Sequence, residues 1–160
     1  MSDIPKAVFD CNTFLQALAA PEGPAGRCMD LVVAGRVQLF VSPAVLGELE
    51  TVAARPRVAA KLRLSSRRTE EFLRTLQSVS SLLTEYPEVF QYQRDPDDAH
   101  YVNLAIASGA FLIVSRDHDL LDLMDDTNAD GALLRAWHPA FRVLTPPQFL
   151  LTIPTNPSAS

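Results

Sequence analysis

The stretch AFLIVS, residues 110–115, is apolar without interruption until its final serine. A strand with one face in water alternates apolar and polar residues. An unbroken apolar run of this length marks a strand buried on both faces, as in a parallel sheet covered by helices. Gly109 stands just before it and reads as the C-terminal cap of a helix over 97–108. The rest of the chain repeats this alternation. KAVFD (6–10) and QLFVS (38–42) read as earlier strands, and FRVLT (141–145) as a later one. Helical patterns occupy 13–20, 24–35, 43–54, 66–84 and 118–124, and Pro146 opens a short final helix. Ser42-Pro43 supplies a cap and a first-turn proline. Arg55-Pro56 breaks the helix that follows. In 66–84, Phe72, Leu73, Leu76, Val79, Leu82 and Leu83 recur at spacings of three and four. Strands alternating with helices predict an α/β protein, a three-layer α/β/α sandwich around a central, mainly parallel sheet of four or five strands. With 160 residues, one domain over 1–152 is expected, with 153–160 as a disordered tail.

Composition narrows the function classes. Hydrophobic residues make up 48% and charged residues 21%, which is ordinary for a soluble globular protein. Cys11 and Cys28 have no paired spacing, so a disulfide framework or zinc site is not indicated and a reducing cytoplasm fits. The opening MSDIPK lacks the apolar run of a signal peptide, and no run is long enough to span a bilayer. Net charge is −5, yet seven of the fourteen basic residues fall between positions 55 and 74. They are Arg55, Arg57, Lys61, Arg63, Arg67, Arg68 and Arg74, opposed there only by Glu70 and Glu71. Such a stripe follows a phosphate backbone or forms a solvated helix face.

The acidic residues carry the chemistry. In parallel α/β sheets, ligands bind beyond the carboxyl ends of the strands. Asp10 ends the first strand, and Asp117 follows the third, with Asp119 two residues on. Glu48 lies early in the helix after the second strand. RDPDDAHYVNLA (94–105) puts Asp95, Asp97 and Asp98 at a helix start. If these strands are neighbours, Asp10, Glu48, Asp98 and Asp117 reach one rim. Two carboxylates about 4 Å apart cost about 1 kcal/mol in water and about 4 at an effective dielectric of 20. Such a cluster retains protons or takes up a cation. Oxygen ligands suit Mg²⁺ or Mn²⁺, and a metal so held activates water and clamps a phosphate. Each acid also has a structural reading. Asp95 can cap the helix, with Pro96 as its first residue and Asp98 completing an acidic capping box; Asp97 can favour the dipole; Asp117 can cap the DLLDL helix.

VFDCNTFL (8–15), SPAVLGELE (42–50), RDPDDAHYVNLA (94–105) and LIVSRDHDLL (112–121), in this order and across about residues 6 to 150, resemble the PIN-domain nucleases. The likeness is to toxins of bacterial toxin–antitoxin pairs of the VapC type. The resemblance implies a PIN-like fold and an endoribonuclease in which Asp10, Glu48, Asp98 and Asp117 are catalytic. Asp10, Asp98 and Asp117 would then hold Mg²⁺ or Mn²⁺, with Asn12, Asp97, Ser115 and Asp119 in support. It further implies an RNA substrate, a small antitoxin that silences the site, and a homodimer. The basic residues Arg55, Arg57, Lys61, Arg63, Arg67 and Arg68 are candidates for RNA contact.

Other signals carry less. DTNADG (126–131) imitates half a calcium loop, but the twelfth position is Trp137, not glutamate; a polar turn is expected. His100, His118 and His138 lack metal-ligand spacing, and His118 is expected at the surface beside the acids. Cys11 is expected as a small core residue, and Trp137 as packing beneath the last strand. Two other functions compete. A haloacid-dehalogenase-like phosphatase needs DxDxT, and the chain has DCNT at 10–13. A non-catalytic PIN-like module would bind a partner through the acid groove without cutting.

Overall fold

The computed structural model describes residues 4–154. Its centre is β1 (Lys6–Phe9), flanked by β2 (Gln38–Val41) and β4 (Leu112–Val114). The edges are β3 (Ser81–Leu82) beside β2 and β5 (Arg142–Leu144) beside β4. All four pairings are parallel and the order is β3-β2-β1-β4-β5. The three-layer α/β/α sandwich expected from the alternation is the architecture found. The chain leaves β1 towards one edge, then returns to place β4 on its other side. That reversal opens a crevice at the carboxyl ends of β1 and β4, where connections diverge to opposite faces.

The helices are α1 (Cys11–Ala19), α2 (Pro24–Val33), α3 (Pro43–Ala53), α4 (Pro56–Leu62), α5 (Ser66–Val79), α6 (Ala99–Ser108), α7 (His118–Leu121), α8 (Ala129–Trp137) and α9 (Pro146–Thr152). α1 packs against α2, α3 and α5, and α2 against α9, while α6 lies on β1, β2 and β4. One aromatic cluster joins sheet to helices. Phe9 meets Phe14 at 5.8 Å and Phe149 edge-on at 6.1 Å, and Phe14 meets Phe72 at 6.4 Å. Phe9, Phe14 and Phe149 are fully buried, so truncating any of them costs about 3–5 kcal/mol. No helix among the described residues is long and apolar enough to cross a membrane.

The caps follow local chemistry. Ser42 Oγ accepts from Val45 N at 3.2 Å with Pro43 in the first turn. Gly109 closes α6 at φ 76°, a left-handed conformation that glycine adopts freely. Three local expectations change. The helix expected over 66–84 ends at Val79, because Ser80 turns extended and its hydroxyl caps the Leu76 carbonyl at 2.6 Å; residues 81–82 then pair with β2. Arg55-Pro56 breaks the helix as expected, α3 ending at Ala53, and Pro56 then opens α4. The polar 126–131 stretch contains a helix start, with Asn128 Oδ1 accepting from Gly131 N at 2.8 Å. Trp137, expected beneath the last strand, is 65% exposed at the end of α8. The tail expectation for 155–160 lies outside the described residues.

Gly131 fits where no side chain can. A Cβ there would meet the Leu123 carbonyl oxygen at 2.1 Å, whereas one at Gly47 on α3 would meet nothing within 4 Å. Gly131→Ala should therefore lower unfolding free energy by about 1–3 kcal/mol through overpacking. Gly47→Ala should raise it by about 0.5–1 kcal/mol through helix propensity. Urea unfolding of the two variants beside the parent protein checks the opposite signs.

Candidate active site

Asp10 stands where β1 becomes α1 and serves both elements. Its backbone N–H donates to Val114 O at 3.2 Å, continuing the β1–β4 ladder by one residue. Its Oδ1 accepts from Thr13 N at 2.9 Å and lies 2.6 Å from Thr13 Oγ1, capping α1. Its Oδ2 accepts from Ser115 Oγ at 2.5 Å. Ser115, fully buried just past β4, also receives Asp117 N at 2.9 Å. One serine hydroxyl therefore links Asp10 to the backbone of Asp117. Burial pushes the Asp10 carboxyl above its ordinary value, and the bonds from Ser115 and Thr13 pull it back.

Glu48, on the second turn of α3, is held from α6. Tyr101 Oη donates to Glu48 Oε1 at 2.9 Å and accepts from Cys11 N at 3.0 Å. His100 Nε2 lies 3.1 Å from Glu48 Oε2. The bond to His100, with that from Tyr101, holds the Glu48 carboxyl below its ordinary range against partial burial. Tyr101 is 2% exposed, and burial together with the Glu48 charge keeps its phenol protonated. The His100 ring lies 4.0 Å from that of Tyr101.

Asp98 closes a 3₁₀ turn over Pro96–Asp98 ahead of α6. Its carboxyl is pushed up to about 9, first by burial, then by Asp117 and Asp95. At neutral pH, without a cation, it holds a proton. Its Oδ2 is buried without a hydrogen-bond partner. Asp95 does not cap the helix as expected. Asp98 N bonds to the Asp95 backbone carbonyl at 3.1 Å, and the Asp95 side chain makes no cap bond. Instead Asp95, Asp98 and Asp119 each offer a carboxylate oxygen within 4.8 Å of the others. Arg94 partly neutralises this trio, with Nε 2.8 Å from Asp119 Oδ1 and NH2 2.5 Å from Asp122.

Asp10, Glu48, Asp98 and Asp117 line one cleft of about 200 Å³ together with Cys11, Asn12, Arg55 and Tyr101. Asp117 Oδ1 also caps α7, accepting from Asp119 N at 2.9 Å. Of the supporting residues, Ser115 bonds Asp10, Asn12 lines the cleft, Asp119 belongs to the outer trio, and Asp97 is exposed. Cys11 is buried as expected, its thiol pushed up to about 12 by burial. His118 is exposed at the start of α7, beside Asp117. Arg55 lines the cleft, whereas Arg57, Lys61 and Arg63 are exposed along α4 and its end. Arg67 pairs with Glu71 at 3.1 Å, and Arg68 donates to the Leu18 carbonyl at 2.8 Å. Tyr101 and His100 were legible only as part of a helical stretch. The signal for Tyr101 was its spacing of three from Asp98, which sets those two on one helix face; His100, two positions from Asp98, had none.

These residues fit a hard cation. The donors are carboxylate oxygens, and one of them is buried with nothing to accept from. Among the described residues no lysine or arginine reaches ion-pair distance of Asp10, Asp98 or Asp117. Because Arg94 already offsets charge on the Asp119 side, the inner cleft has the greater need of positive charge. The comparisons agree with this chemistry. A model of the PIN domain matches residues 6–119, a span that holds all four carboxylates. The chain is 30% identical over 145 residues to the uncharacterized protein MJ1680 of Methanocaldococcus jannaschii, covering 91% of this chain and 89% of that one. The fold, the acidic cleft and the match across most of its length make one conclusion plain: the chain belongs to the PIN-domain family, a family of metal-dependent nucleases.

Proposed function

We propose that this protein is an endoribonuclease that uses Mg²⁺ or Mn²⁺ held by Asp10, Asp98 and Asp117, with Glu48 as the fourth catalytic carboxylate. The observation that carries this reading is the single cleft shared by all four acids, at the meeting point of β1 and β4. We assign it further as a VapC-like toxin, silenced by a small antitoxin and working in the cytoplasm as a homodimer. That assignment rests on the four sequence motifs in order.

When bound, the cation lowers the pKa of a coordinated water and offsets charge on the scissile phosphate. The chain's own residues do the rest. Asp10 is held by Thr13 and Ser115 and cannot swing away. Asp98, kept protonated first by burial and then by its acidic neighbours, would release that proton to hold the cation. Glu48, kept ionised by His100 and Tyr101, orients the attacking water and accepts a hydrogen bond from it. Arg55 at the cleft, continued by Arg57, Lys61 and Arg63, supports a path for the phosphate backbone.

Purified protein should cut mixed single-stranded RNA with Mn²⁺ or Mg²⁺ and not with chelator, and Asp10→Asn should lower the rate at least about a hundredfold. Equal cleavage by Asp10→Asn rejects the assignment. Expression should arrest growth of the host, with relief by a small neighbouring reading frame; absence of both rejects the toxin role.

Asp98 also makes a thermodynamic prediction. Its folded pKa is raised, so its contribution to stability is full below about pH 4 and falls as pH rises towards 9. Metal-free Asp98→Asn should therefore gain on the parent protein with pH, by at most about 1.4 kcal/mol per unit, or roughly 3–6 °C in Tm. Mn²⁺ should stabilise the parent more at high pH and leave the variant nearly unchanged. Thermal melts from pH 5 to 9 with chelator or Mn²⁺ measure both, and a pH-independent difference contradicts the assignment.

A further inference from the structure

A cavity of about 640 Å³ lies beside the acid cleft rather than in it. One wall is segment 84–93, which has no regular secondary structure. The other comes from the starts of α3 and α6, the helices that carry Glu48 and follow Asp98. His100 stands between the two spaces, lining the cavity while its Nε2 contacts Glu48. A chain lying across the acids and continuing past one imidazole enters this cavity.

Segment 84–93 is tied down by Asn103 and Tyr92. Asn103 is a polar residue in the middle of α6 and only 2% exposed. Its Oδ1 accepts from Val89 N at 3.0 Å and Phe90 N at 2.8 Å, and its Nδ2 donates to Phe90 O at 3.0 Å. Tyr92 Oη donates to the Asp119 carbonyl at 2.8 Å. The wall is therefore formed before any ligand arrives, which reduces the ordering cost of binding.

The lining selects for chemistry. Tyr86, Phe90, Tyr92 and His100 provide aromatic surface, and Gln91 and Gln93 carry amide donors and acceptors. The charged residues lining it are Glu85 and Glu88, and neither lysine nor arginine lines it. That excludes a phosphate and admits a neutral planar group with polar edges. One basic residue, Arg55, lies instead on the acid cleft, with Arg57, Lys61 and Arg63 exposed along α4 and its end. Backbone and base thus have separate places.

We propose that the cavity between segment 84–93 and the starts of α3 and α6 receives one unpaired base of a single-stranded RNA whose backbone crosses the acid cleft, an inference that rests on the nuclease reading above. Stacking against the aromatic wall gives affinity, and the glutamine amides contact the base edge.

The test is an abasic scan. A set of single-stranded RNA 12-mers, each with one abasic position, is titrated by fluorescence anisotropy into the full-length protein, with chelator and with Mn²⁺. One position should show a loss of affinity of about tenfold, the size of one base–aromatic stack. That penalty should vanish in Tyr86→Ala. It should also vanish in Ala44→Trp, which fills the cavity from an exposed position on α3; circular dichroism checks that each variant is folded. A penalty equal at all positions, or one that persists in both folded variants, overturns the proposal. A flat scan with metal-dependent cleavage intact rejects the base pocket alone, and the cavity then falls to a protein partner. If RNA is neither bound nor cut in either condition, the nuclease reading fails with it.

Discussion

The site depends on the seam between β1 and β4. Asp10 N bonds Val114 O, the Thr13 hydroxyl lies 3.0 Å from the same carbonyl, and Ser115 donates to Asp10. These contacts are backbone pairing, helix capping and side-chain bonding in one place. They hold a carboxylate 3% exposed at the end of a buried strand, where an ionised acid without partners would cost several kcal/mol. With Asp10 fixed there and Asp117 tied to Ser115 by its own amide, the remaining acids meet a negative pocket already in place.

That pocket manages its charge in three ways. Asp119 is offset by Arg94. Glu48 is stabilised as the anion by a phenol and an imidazole. Asp98 is given neither, and burial with its acidic neighbours leaves it holding a proton. With that proton in place the centre of the pocket carries one negative charge fewer. The unpartnered Oδ2 of Asp98 is therefore a feature of the site rather than a packing fault, since native folds leave few buried polar atoms unsatisfied.

Much of the fold was readable because its signals are local. The unbroken apolar run at 110–115, the Ser42-Pro43 start and Gly109 each act within one or two turns of chain. β3 was not readable: a two-residue strand has no period, and the leucines at 82 and 83 continue a helical pattern that the Ser80 hydroxyl ends. Asn128 looked like part of a polar turn because a cap and a turn use the same residue types. Asp95 looked like a cap, but the 3₁₀ turn satisfies the first amide with a backbone carbonyl and leaves its carboxylate free to join Asp98 and Asp119. Tyr101 was legible only as part of a helical stretch; it is buried, and its hydroxyl reaches Glu48.

By itself the sequence determined the alternation of strands and helices, the places where acids stand at element ends, and the likeness that named four of them. Those depend on residue type and short-range spacing. Only the tertiary structure decided how the acids differ from one another. Ser115 meets Asp10 across 105 positions, Tyr101 meets Glu48 across 53, and Asn103 anchors a segment 13 and 14 positions back. Charge, burial and hydrogen bonding act through space. Chain order therefore supplied the carboxylates, and packing set the surroundings of each.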